Sequence, residues 1–374
     1  MPETEEFKFP SVEEISKNPA FPTAIWELEP HRKGLLPVAV GRGGPLNISW
    51  EIHGDGPIKI LVGVSPPDAA VATSSREASA LFRALINGLG IFNTSWQRQT
   101  LHFGHNKGAE YSVLIIDNRG MGKSSRPIMR YSTSEMARDV LEVLDHVGWA
   151  SERQVHVCGS SMGGMIAQEL ACLAPSRVAS LSLLSTAAAL ENNTTFLENL
   201  ANRLRMLAPK SVDRSVRYTA EACFARAWLT RPDGAELPDE RGTPRCRFPP
   251  GGYRRFESNY ARFAAQDVAK QRDRVGFTKL GFLLQAVAAG WHHKSPAQLR
   301  EMADAVGRNR ILVLHGTEDG MIPVPHGRKL IEYIQPGKGL IEEGVGHAPF
   351  IERTRWFNEL LEEMCATGER LSGR

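Results

Sequence analysis

Cysteine is scarce in this chain, and the five present (Cys158, Cys172, Cys223, Cys246, Cys365) are odd in number, scattered and in no CxxC pair. That argues against a disulfide framework and against a structural zinc site. Net charge is also small, +3 at neutral pH, which gives no electrostatic reason to expect nucleic acid or an anionic membrane as partner. No apolar run approaches the roughly 20 residues that a membrane span needs. The opening stretch MPETEEFKFPSVEEISKNP has neither a secretory apolar core nor a basic transit helix, and a cytoplasmic setting is the expectation. Internal repeats are missing too.

What remains is an ordinary globular composition, 42% hydrophobic and 23% charged over 374 residues. That length suits one large domain with an insertion, or two domains. Residues 1–34 read as a proline-punctuated extension, with Phe21 and Trp26 available to strap it onto the core. LPVAV (36–40) and LNISWEIHG (46–54) then read as an antiparallel strand pair. A strand–helix alternation follows. YSVLIID (111–117), QVHVCG (154–159), VASLSLLS (178–185), RILVLHG (310–316) and GLIEEG (339–344) read as strands. The intervening helices include 132–149, whose Ser132 and Glu135 form a capping-box pattern ahead of Met136, Val140, Val143 and Val147 at helical spacing. Strands alternating with helices imply a mostly parallel sheet covered on both faces.

Two segments break the alternation. Residues 188–305 are arginine-rich and mostly helical in pattern, with Phe224, Trp228, Tyr253, Phe256, Tyr260, Phe263 and Trp291, and a proline-glycine loop over 231–253. They are expected to form a helical cap inserted between core parts 35–187 and 306–374. The second segment is shorter. IKILVGV (58–64) looks like a strand, yet an Ala/Ser-rich stretch separates it from LINGLG (85–90), again apolar into a glycine turn. Deleting residues 62–84 leaves IKIL running directly into LINGLG, one strand and turn. The expectation is an insertion at 62–84, or a short intron retained in the coding sequence.

Chemistry centres on CGSSMGG (158–164), where Gly159-Ser160-Ser161-Met162-Gly163 fits the G-x-S-x-G pattern at the junction of a strand and a helix. A nucleophile held on so sharp a turn needs small residues two positions before and after it. Ser161 has Gly159 and Gly163 there; Ser160 would have Cys158 and Met162. Ser161 is therefore the candidate nucleophile. A serine hydroxyl needs a base to take its proton and a carboxylate to orient that base. LHGTEDGMIP supplies Asp319 after one strand, and EEGVGHAPFIE supplies His347 after the last. All three residues then lie at carboxyl ends of strands, on one edge of the sheet. Glu318 is the rival acid; the GMIP turn favours the shorter Asp319. His292 and His293 adjoin each other without a metal-like spacing and read as cap residues. An oxyanion hole would take one N–H from Met162 and the other from the NGLG turn (87–90), with Leu89 as donor.

On DNRGMGKSSRP (117–127), GSSMGG (159–164), HGTEDGMIP (315–323) and GVGHAPF (344–350), the chain resembles the α/β-hydrolase superfamily over essentially residues 35–365. It looks closest to the capped esterase, lactonase and C–C-bond hydrolase branch. The resemblance implies an eight-stranded, mostly parallel sheet with a helical cap. It also implies Ser161 as nucleophile, Asp319 as acid and His347 as base, with no metal and no organic cofactor. Haloalkane dehalogenases and epoxide hydrolases are similar around DNRGMGKS but carry aspartate at the position of Ser161, which argues against both activities. One departure is Asn87-Gly88 where many relatives have His-Gly. The expected function is hydrolysis of an ester, thioester or lactone, with the aromatic cap suggesting a medium-sized hydrophobic substrate. Two rival readings use the same fold: an acyltransferase with the same triad, and a non-catalytic ligand receptor.

Overall fold

Alternation along the central strands divides the apolar core into two faces of one sheet. In β6 (Tyr111–Ile116), Leu114 and Ile116 point to one face while Val113 and Ile115 point to the other. In β10 (Ile311–Gly316), Ile311 and Val313 share the first face, and Leu312 and Leu314 the second. Every residue of β6, β7 (Val155–Ser160), β8 (Val178–Leu184) and β10 is buried, as expected for strands covered on both sides. These features come from a computed structural model that describes residues 7–61, 81–86, 93–190 and 211–374.

The main sheet runs in the order β11-β10-β8-β7-β4-β5-β6-β3-β2. Here β2 is Arg32–Val38, β3 is Leu46–His53, β4 is Ile58–Leu61, β5 is Leu81–Ile86 and β11 is Lys338–Glu342. The β2–β3 and β3–β6 pairs are antiparallel, and the remaining neighbours are parallel. Among the described residues the sheet thus has nine strand segments, where the resemblance implies eight. The surplus lies at β4 and β5, each of which pairs with both β6 and β7. Of the segment 62–84, residues 62–80 lie outside the described residues, as do Asn87 and Leu89. A separate two-residue ladder joins β1 (Glu27–Leu28) to β9 (Cys246–Arg247), inside the expected 231–253 loop.

On the first face sit α2 (Thr133–His146), α3 (Met162–Leu173), α8 (Pro296–Val306) and α9 (Pro325–Ile334), contributing Met136, Val140, Ile166, Leu170, Leu299, Met302 and Leu330. The capping box of α2 is half formed. Ser132 Oγ accepts the N–H of Glu135 at 3.1 Å, but the Glu135 carboxylate turns away to Arg42 and Arg138. A longer-range cation takes the carboxylate that the local pattern assigns to the cap.

The second face is covered by the C-terminal helix α10 (Thr354–Arg370), through Phe357, Leu361 and Met364, and by α1 (Val12–Lys17), through Ile15. Helices α4 (Val212–Cys223), α5 (Arg226–Leu229) and α6 (Asn259–Arg272), all from the chain between β8 and β10, join the same apolar cluster. The ion pair Arg262–Asp233, 2.7 Å and buried, ties α6 to the loop before it. Phe224 stacks on Trp228 and meets Phe263 edge-on, so these aromatics pack the helices together. Helix α7 (Lys279–Gly290) rests on the loop after β6, where Gln285 Nε2 donates to the Arg119 carbonyl at 3.0 Å. The N-terminal extension is strapped down as expected: Trp26 is buried, and its backbone N–H donates to Gln97 Oε1 at 3.0 Å. No helix among the described residues is long and apolar enough to cross a membrane.

Candidate active site

Strand β7 ends at Ser160, which is buried and still paired in the sheet opposite Leu184. Ser161 is the first residue outside the ladder and stands as the cap of α3 with φ 58° and ψ −124°. A positive φ in a residue with a side chain is strained, and it persists only where surrounding contacts hold it. Here the Ser161 N–H donates to the Leu184 carbonyl at 2.9 Å, and its own carbonyl accepts from Thr186 Oγ1 at 2.7 Å. The glycine argument is visible in the geometry. A Cβ on Gly159 would lie 2.3 Å from the Gly163 carbonyl oxygen, a backbone contact no side chain can relieve. Met162 opens α3, and N–H groups in a helix's first turn have no intrahelical acceptor.

Asp319 follows β10 by three residues and is buried, whereas its neighbour Glu318 is exposed. Asp319 Oδ1 accepts the N–H groups of Met321 and Ile322 at 2.9 and 2.8 Å, closing the GMIP turn around it. Its Oδ2 accepts from His347 Nδ1 at 2.7 Å. The carboxylate can only accept, so Nδ1 carries the proton and Nε2 is left as the basic nitrogen. Burial works against ionising Asp319, but attraction to His347 and hydrogen bonds from His315 and His347 prevail and hold its pKa at about 2. The structure therefore joins Asp319 to His347 directly. It sets Ser161 on the same edge, at the end of β7, with only β8 between that strand and β10.

Sequence reasoning missed the support around this pair. His315, fully buried in β10, has Nε2 at 2.7 Å from the Ile322 carbonyl and 3.1 Å from Asp319 Oδ2. The end of α4 docks onto both loops: His347 N–H donates to the Cys223 carbonyl at 2.8 Å, and Gly320 N–H to the Ala222 carbonyl at 3.1 Å. Glu352 Oε1 then accepts Gly346 N–H at 2.8 Å and Ala225 N–H at 3.2 Å, binding the residue before His347 to the residues after α4. The spacing of His315 four residues before Asp319 was a usable signal; the α4 contacts have no local signature. His292 is buried, with Nδ1 at 2.9 Å from the Oγ1 of Thr133, the first residue of α2.

A mostly parallel sheet with helices on both faces and a strained serine between strand and helix defines an α/β-hydrolase architecture. The family model described as alpha/beta hydrolase fold matches residues 85–354, and the chain belongs to that family. Similar proteins include one bearing the name carbamate hydrolase RutD from Azorhizobium caulinodans, 29% identical over 209 residues, 55% of this chain and 65% of that protein. A 3-oxoadipate enol-lactonase from Acinetobacter baylyi is 36% identical over 102 residues, 27% of this chain and 36% of its own. The chain thus spans less than two thirds of the length of these relatives. Among solved structures, a thermophilic esterase from Thermogutta terrifontis superposes with a TM-score of 0.60 at 18% identity, over 90% of this chain and 99% of that one. At that identity the likeness concerns the fold.

Proposed function

We propose that the protein is a serine hydrolase that cleaves a carboxylic ester, thioester or lactone through an acyl-enzyme on Ser161. The observation that carries this reading is the 2.7 Å His347–Asp319 hydrogen bond on the sheet edge where Ser161 holds its positive φ. Ser161 Oγ attacks the substrate carbonyl carbon while its proton passes to His347 Nε2. The oxyanion that forms takes a hydrogen bond from the N–H of Met162, and the sequence assigns a second donor to Leu89. As the tetrahedral adduct collapses, His347 returns the proton to the leaving oxygen or sulfur. Water then attacks the acyl carbon, gives its proton to His347, and a second collapse releases the acid and restores Ser161. Asp319 stays ionised throughout and stabilises the imidazolium.

Support from relatives is of the same kind, since the A. baylyi relative is an enol-lactonase by name. Helices α4 to α7 serve as the cap in this reading, and α4 braces the loops of Asp319 and His347. The test is covalent labelling by a fluorophosphonate probe. Wild type should label stoichiometrically and Ser161→Ala not at all. Folded protein that labels equally with and without Ser161, or never labels, overturns the assignment. Adding acceptor alcohols to an ester and lactone screen then separates hydrolysis from acyl transfer. Hydrolysis with water as sole acceptor is the expected outcome.

A further inference from the structure

A position between two strands of a sheet holds one strand, because neighbours stand about 4.8 Å apart and each offers one hydrogen-bonding edge to the gap. Two segments of this chain claim the gap between β6 and β7. On the β6 side, Ile60 and Arg83 are both opposite Val113, and Leu61 and Ala84 are both opposite Leu114. On the β7 side, Ile60 and Arg83 are both opposite His156. Arg83 lies 23 positions after Ile60, and Ala84 lies 23 after Leu61. The direct matches Ile58↔Leu81 and Lys59↔Phe82 carry the same offset. Strands β4 and β5 are thus two occupants of one slot in one register.

The offset defines what is surplus. If Leu61 takes the place of Ala84, the next residue in register is Leu85, opposite Cys158, and then Ile86, opposite Gly159. Joining Leu61 to Leu85 continues the strand into the elbow's neighbourhood without a slip, and a slip of even one residue would reverse every side chain. The match to the alpha/beta hydrolase family model independently begins at residue 85. Register fixes the length of the surplus at 23 residues, and the family match and the IKIL–LINGLG join in the sequence both place its end just before residue 85.

We propose that residues 62–84 are a removable 23-residue insert that duplicates a sheet strand, and that the competent form is the 351-residue chain in which Leu61 is followed by Leu85. Removal belongs to the transcript: 23 codons are 69 nucleotides, so both forms keep one reading frame. Excision from the finished protein would need two peptide bonds cut and one made. In the 374-residue form β4 and β5 compete, and whenever β4 holds the slot, Leu85 and Ile86, which lead into the NGLG turn read from the sequence, lose their places opposite Cys158 and Gly159. The functional consequence rests on the serine hydrolase reading, because that turn is where the second oxyanion donor is assigned.

The test compares the 374-residue chain with the variant lacking 62–84, each with and without Ser161→Ala. The shortened chain should unfold several degrees higher, protect the amides of β6 and β7 more strongly from hydrogen exchange, and label with the fluorophosphonate at least tenfold faster. A shortened chain that is less stable or fails to fold overturns the proposal. If it is more stable but neither form labels, the strand reading stands and the hydrolase reading fails. Proline scanning of the full chain gives a second measurement. Ile60→Pro and Arg83→Pro should each be tolerated, because the other copy fills the slot, while the double variant loses the fold. Unfolding by either single proline would mean that both strands are required, against the proposal. Sequencing of transcripts should find messages joining codon 61 to codon 85; messages that all retain codons 62–84 overturn removal at that level.

Discussion

Glu352 offers the sharpest test of how the His347 loop is held. Its carboxylate accepts the N–H groups of Gly346 and Ala225, yet its pKa is raised to about 7. Burial is the main cause, opposed by those two hydrogen bonds and by Arg353, and assisted by Glu318. A raised carboxyl pKa means the folded state holds a proton that the unfolded chain gives up near 4.5. The stability tied to this proton is complete below pH 4.5, falls as pH rises and is gone above about 7. The span corresponds to at most about 3 kcal/mol, less to the extent that solvent screens the group. Glu352→Gln keeps the carbonyl acceptor and removes the titration. It should match wild type near pH 4.5 and become progressively more stable than it up to pH 7. Glu352→Ala leaves two N–H groups without their acceptor, at about 1–3 kcal/mol each. Its His347 loop should also slacken, lowering the fluorophosphonate labelling rate under conditions where the variant is folded. Urea unfolding at several pH values, with labelling on the same samples, supplies both readouts. A Gln variant with the wild-type pH slope, or an Ala variant that labels at the wild-type rate, would refute this account of Glu352.

Four further outcomes follow from the structure. Gly159→Ala brings a Cβ to 2.3 Å from the Gly163 carbonyl oxygen and should destabilise by about 1–3 kcal/mol. Gly234→Ala, with nothing within 4 Å of the new Cβ, should be near neutral in the same thermal melts. Asp319→Asn keeps the shape but presents an amide to His347 Nδ1, so labelling of Ser161 should fall by about 10³–10⁴-fold while the fold survives in circular dichroism. Arg119→Met strips the buried Asp139 of its bidentate partner (2.7 and 2.6 Å) and should cost about 3 kcal/mol in urea unfolding, since Arg42 remains to share the charge.

The parts of the site legible in the sequence are those set by local sterics. Gly159 and Gly163 had to flank a strained residue, and the structure gives Ser161 the positive φ that this requires. The GMIP turn favoured Asp319 over Glu318, and the structure closes that turn's two N–H groups on the Asp319 carboxylate. What escaped depends on partners far along the chain. Glu135 carries a capping-box spacing, but Arg42, brought in across the fold, takes its carboxylate. Cys223 and Ala222 brace His347 and Gly320 through backbone carbonyls, which have no side-chain identity to leave in a sequence. The strand duplication lies between these cases. The IKIL–LINGLG join was visible as a pattern, but its physical meaning needed the ladder, because only register shows that Ile60 and Arg83 claim the same two neighbours. Local patterns tell which residue can adopt a conformation; competition for a partner is decided by what else the fold brings to that partner.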